Sequence, residues 1–141
     1  MNTTRRRGRL LDAAQWALLG MYLLGSVGVL LLAVVRTGDW GALADPGLER
    51  LGDPKDAIPF GWDSVANPFA WIIGTARVVA MLIIPAAALG VILGGLALSA
   101  AARERDRRRI ARAVLFIAAW LLVVAVAFTE YGDKFSVWLA D

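Results

Sequence analysis

The stretch AAQWALLGMYLLGSVGVLLLAVV, residues 13–35, runs for 23 residues without a charge. A helix rises about 1.5 Å per residue, so this one would cover roughly 35 Å, enough for a hydrocarbon core of about 30 Å. It reads as a membrane span and gives a measure for the other apolar runs. IARAVLFIAAWLLVVAVAF, residues 110–128, is a second such run. Its Arg112 lies close enough to the boundary to snorkel into headgroups. A third run, between these two, extends from near Phe69 to Ala102. As one helix it would measure roughly 50 Å, too long for a simple span. Arg77 is the natural divider. NPFAWIIGTAR reads as a lead-in helix with Asn67 as N-cap and Pro68 at the first helical position. VVAMLIIPAAALGVILGGLALSAAA, residues 78–102, then crosses, with a kink expected at Pro85, which lacks a backbone donor.

The expected fold class is therefore all-α, an integral membrane protein with three transmembrane helices. Composition agrees. Hydrophobic residues make up 59% of the 141-residue chain, and mean hydropathy is +0.62. Soluble domains stay near half apolar. The chain has no cysteine and no histidine. That excludes disulfides, thiolate and imidazole metal sites, His-ligated haem and any His-dependent triad.

Charge sets the expected orientation. Residues 1–12 carry Arg5, Arg6, Arg7 and Arg9 against Asp12, a net +3. AARERDRRRIAR, residues 101–112, holds Arg103, Arg105, Arg107, Arg108, Arg109 and Arg112 against Glu104 and Asp106, a net +4. Residues 36–68 are net −3 and residues 129–141 net −2. Lys and Arg near span ends favour the inner side, so the N-terminus and the basic loop are expected inside, the connector and the C-terminus outside. A short Arg-rich loop is what a cytoplasmic hairpin needs to hold this topology. The same six arginines suit contact with anionic lipid headgroups, at about 1 kcal/mol each. A nucleic-acid partner is not expected, because such binders spread basic residues over a folded polar surface.

The segments are thus a basic cytoplasmic N-terminus (1–12), helix one (13–35), an external connector (36–68), lead-in helix and helix two (69–102), a basic loop (103–109), helix three (110–128) and an external tail (129–141). The connector is rich in Gly, Pro and Asp, so turns should dominate and a stable fold of its own is not expected. DPGLERLGD could form one short helical turn, and Trp40 and Trp62 suit interfacial anchoring. Its length allows either an external contact surface or a plain link. In the tail, Phe128, Tyr131, Phe135 and Trp138 recur at helical spacing. That fits a short amphipathic helix on the outer leaflet, weakened by Gly132, or a continuation of helix three.

The sequence offers little chemistry. A membrane enzyme or pump leaves ionisable groups at membrane depth. The three expected spans hold no acid, and Arg77 is the one candidate charge, either snorkelling at the outer boundary or acting as a buried countercharge. Motifs such as HExxH, GxSxG and a phosphate loop are missing. Ser26, Tyr22 and Thr75 read as packing hydroxyls or as bonds to the preceding turn. No catalytic, metal or cofactor residues are expected. One motif has a mechanism. Ala86, Gly90 and Gly94 lie four apart on one helix face, where small residues admit a second helix, from this chain or another.

The leading expectation is a small non-catalytic accessory or structural subunit of a membrane complex. Its partners would be lipids, anionic headgroups included, and other membrane helices or further copies of itself. GALAD suggests an alternative, because a signal peptidase could cut after Ala44. The product would have two spans, both ends outside and a basic loop inside. This topology resembles that of type IV secretion and conjugation pilins. Against it, helix one is longer than the apolar region of a signal peptide. A holin-like pore former fits the small size, but such a protein would carry a basic tail inside. The arginine and alanine bias points to a bacterial source, hence to a multi-pass protein of the bacterial cell membrane.

Overall fold

In a computed structural model, residues 2–141 are described, apart from the side chains of residues 2–7 and 9. The expected cluster of Arg5, Arg6, Arg7 and Arg9 thus lies outside the described side chains. The chain is 81% helical, with no strand among the described residues. Three helical stretches are long and apolar enough to cross a membrane: Leu10–Thr37, Ile83–Arg103 and Arg107–Ala127.

The first stretch is not one regular helix. It comprises α1 (Asn2–Leu23), a π-helical turn (Leu24–Gly28) and α2 (Val29–Thr37). The turn falls on LGSVG, where two glycines weaken the helix and Ser26 competes for its backbone. Ser26 Oγ donates to the Tyr22 carbonyl at 2.6 Å. Gly38 ends α2 in the left-handed conformation, at φ 74°, the usual glycine stop.

The middle run divides at Leu82 and not at Arg77. Its first helix, α4, covers Pro68–Met81, and α5 covers Ile83–Arg103. Asn67 caps α4 by accepting from the Phe69 amide at 3.0 Å, with Pro68 behind it. Leu82 leaves helical geometry, at φ −88° and ψ 48°. The cause is Pro85: it cannot bond the Met81 carbonyl, and its ring would collide with that oxygen. The expected kink is therefore a full break, three residues ahead of the proline.

The α5–α6 turn uses no glycine. α6 covers Arg107–Ala127. The Arg105 amide donates to Ala102 and the Asp106 amide to Ala101, a Schellman closure. Arg105 accordingly sits at φ 53°, a conformation that costs a non-glycine residue about 1–2 kcal/mol. Asp106 Oδ1 then caps α6 by accepting from the Arg108 and Arg109 amides at 3.0 and 3.1 Å.

The tail is a separate helix, α7 (Glu130–Ala140), capped by Thr129. It is not a continuation of the third span. Gly132 is buried, and a side chain there would overlap the Val126 carbonyl and Ala127. This glycine permits the tight corner, which outweighs its weak helix propensity.

The chain forms two compact units, residues Met1–Gly20 with Ile84–Ala125, and Met21–Ile83 with Val126–Asp141. In the first, α5 lays Ala86, Gly90, Gly94, Ala97 and Ala101 against neighbours, all of them buried. In the second, the connector is ordered into short turns: Trp40–Leu43, α3 (Leu48–Leu51) and Pro54–Ala57. Ala42 and Leu51 are fully buried there. The connector thus packs, where its composition suggested a chain without a fold.

Candidate functional site

Within the first unit, the small residues of α5 meet bulky ones of α6. The Gly90 position is closed by the indole of Trp120, and a Cβ at Gly94 would stand 2.5 Å from Ile117 Cγ1. Trp120 is fully buried, and Phe116 packs edge-on to it at 6.3 Å. Trp16 of α1 adds a further edge contact to Phe116 at 6.4 Å. Gly90 and Gly94 therefore face a helix of their own chain, and Ala86, one turn earlier, is buried as well. Ala97 and Ala101 continue the ridge at steps of three and four residues. The buried amide of Gln15 adds a polar group to this unit, and its Nε2 has no hydrogen-bond partner among the described residues.

The basic loop belongs to the same unit. Arg103, Arg105, Arg107, Arg108 and Arg112 are exposed. Arg109 differs. Its side chain is only 16% exposed, pairs with Glu104, and reaches Asp12 at 4.0 Å. Five of the six expected headgroup contacts are thus available to solvent or lipid, while Arg109 is engaged within the chain.

The second unit holds the arrangement that the sequence did not disclose. The π turn lies against α4 so closely that a Cβ at Gly25 would overlap the Ala76 carbonyl. Next to Ala76 is Arg77, only 9% exposed. Its Nε donates to the Leu139 carbonyl of α7 at 2.7 Å, 62 residues away. No carboxylate among the described residues lies within ion-pair distance of it. Asp53 acts on it at longer range, as does Asp141.

Other long-range bonds surround this point. Trp138 Nε1 donates to the Gly52 carbonyl at 2.9 Å, and Lys134 pairs with Asp45 at 3.1 Å. Lys55 bonds the Asp141 main-chain oxygen and sits 3.4 Å from Asp53. Arg36 donates to the Leu51 carbonyl at 3.0 Å and pairs with Asp56 at 3.5 Å. Arg50 grips Asp39 with two bonds of 2.8 Å. That grip, first of all, holds the Asp39 carboxyl below its usual range. Asp53 is also held low, chiefly by accepting from the Lys55 amide at 2.8 Å. α7 therefore turns Trp138 and Leu139 toward its own chain, while Tyr131 and Phe135 stack at 6.3 Å. Phe128, fourth of the expected aromatic set, lies outside α7 and is 79% exposed.

Alongside α4 runs an open groove in two joined parts, of about 650 and 300 Å³. Trp62, Ala70, Gly74 and Val78 line both parts. Arg77 and Lys55 lie at one end, Asp63 and Trp71 at the other. Trp40, Trp62 and Trp71 are all more than half exposed. The Ala42 side chain of the GALAD segment is fully buried in its turn, so cleavage after Ala44 would require that turn to open. Comparison with protein-family models, curated proteins and solved structures finds no match.

Proposed function

We propose that the chain is a non-catalytic subunit of a membrane complex, lying N-in and C-out in a bacterial cell membrane. The uncovered apolar surface of the second and third spans carries this reading. Only 28% and 17% of their most apolar windows are buried by the chain itself. Leu89, Ile92, Leu115 and Leu122 are each about half exposed or more. In a membrane such faces are covered by lipid tails or by other helices. No acidic residue interrupts residues 13–35, 83–103 or 110–127, which argues against a proton or ion path through these helices.

Orientation follows from ten basic residues in the two segments assigned inside against four in the two assigned outside. The exposed arginines of the basic loop would add contacts to anionic headgroups. The test is purification of the tagged chain in mild detergent, followed by mass spectrometry. A membrane protein recovered in stoichiometric amount supports the subunit reading. Recovery of the chain alone, after crosslinking in intact membranes as well as without it, sinks it.

A further inference from the structure

A buried guanidinium is stable only with partners, because taking a charge out of water costs several kcal/mol. Arg77 has one hydrogen bond, from Nε to a neutral carbonyl. Its terminal nitrogens have no protein acceptor among the described residues, and the side chain lines the smaller part of the groove. The second cation at that end, Lys55, is already held by Asp53 and the Asp141 main chain. From Arg77 the groove continues along a mainly apolar floor of Trp62, Ala70, Gly74 and Val78, which line both parts, toward Trp71. Asp53 and Asp141 act on Arg77 at longer range without pairing with it, and Asp63, in the larger part, would repel an anion placed there. The site therefore has polarity: terminal guanidinium donors open to the groove at one end, and a mainly apolar channel leading away toward Trp71. Both parts fall within the roughly 300–1,000 Å³ of sites that take small molecules.

We infer that this groove binds a membrane phospholipid, with its phosphate on the Arg77 guanidinium and an acyl chain along Gly74 toward Trp71. Arginine suits the task because its fork of donors matches two phosphate oxygens at once. The site is separate from the basic loop, whose exposed arginines meet headgroups without an apolar channel. It does not depend on the chain having a protein partner.

The full chain, purified in mild detergent and stripped of lipid, is titrated with phosphatidylglycerol and followed by native mass spectrometry. Wild type should retain a single lipid after excess is removed. Arg77→Gln should weaken retention by roughly tenfold or more, since a charged hydrogen bond is lost. That change also removes the bond to Leu139, so a second variant is needed. A side chain at Gly74 would meet nothing within 4 Å, so Gly74→Leu fills the groove and leaves every bond of Arg77 in place. It should weaken retention to a similar degree, with an unchanged far-ultraviolet spectrum. A loop variant with Arg103, Arg107 and Arg108 all changed to Gln should retain lipid as wild type does. Equal retention by wild type, Arg77→Gln and Gly74→Leu overturns the inference. So does loss in Arg77→Gln alone, which would make Arg77 only a structural clamp. Loss confined to the loop variant would place lipid binding on the loop instead. Displacement of the lipid by an equal concentration of inorganic phosphate would reduce the site to an anion site and overturn the lipid assignment.

Discussion

Replacing Gly90 by leucine should loosen the α5–α6 contact, and the size of the effect can be worked from the geometry. A Cβ at this position would lie 2.6 Å from Trp120 Cδ1. Carbon atoms prefer about 3.5–4.0 Å, so the helices must separate by about 1 Å. A gap of that order forfeits roughly a quarter to a half of each dispersion contact of about 0.1–0.2 kcal/mol. Summed over the many contacts of a fully buried indole, the loss is about 1–2 kcal/mol, and strain from the remaining leucine atoms adds to it. Leucine's better helix propensity returns up to about 1 kcal/mol. The net cost should be about 1–3 kcal/mol, a shift of roughly fivefold to a hundredfold in the unfolding equilibrium. Titration with SDS in mixed micelles, followed by Trp fluorescence, measures it. Leu89, which is 48% exposed, supplies the control: Leu89→Ile should move the midpoint little. Trp120→Val should remove most of the penalty when combined with Gly90→Leu, as expected for a direct contact. An unchanged midpoint for Gly90→Leu would refute the close packing of this ridge.

Single cysteines in place of Ser64 and Ser136, both exposed, should label with an impermeant reagent in intact cells; labelling of either only after permeabilisation would reverse the proposed topology. Intact-mass measurement of membrane-extracted protein should find the first span still attached, and a mass beginning at Asp45 would favour the pilin-like reading. Acid should release the connector. Asp39 and Asp53 are both held below the usual carboxylate range, so their stabilisation is fully present above the unfolded value near pH 4 and is lost as pH falls through the lowered folded values. Hydrogen exchange across residues 39–56, corrected for its intrinsic pH dependence, should show protection falling below about pH 4; protection that persists well below that range would count against the role of these carboxylates.

The long elements were legible because length and the absence of charge decide them. Residues 13–35 fall in a helical stretch long and apolar enough to cross a membrane, and Asn67-Pro68 marks the start of α4 by cap chemistry alone. The break in the middle run was misplaced because a charge, Arg77, drew the boundary that a ring without an N–H, Pro85, in fact sets. The turn at Arg105 gave no glycine to find. Arg77 itself was read for its own segment, where it has no acid, but its hydrogen-bond acceptor is a main-chain carbonyl 62 residues later. Backbone acceptors carry no sequence signature. The same blindness hid the packing of the connector, whose turns are held by bonds from Arg36 and Trp138 to the Leu51 and Gly52 carbonyls. Composition averages over such residues and reports only flexibility.

The second unit is discontinuous in the chain, since residues Met21–Ile83 are completed by Val126–Asp141. During synthesis at about 5–20 residues per second, Arg77 and the Gly52 carbonyl emerge seconds before Leu139 and Trp138 exist to meet them. Through that interval the unit is half-built, and the Arg77 guanidinium of α4 lacks its Leu139 acceptor. The last eleven-residue helix is thus the piece that closes the unit, and whatever is fused beside it, such as a purification tag, is placed next to the latch.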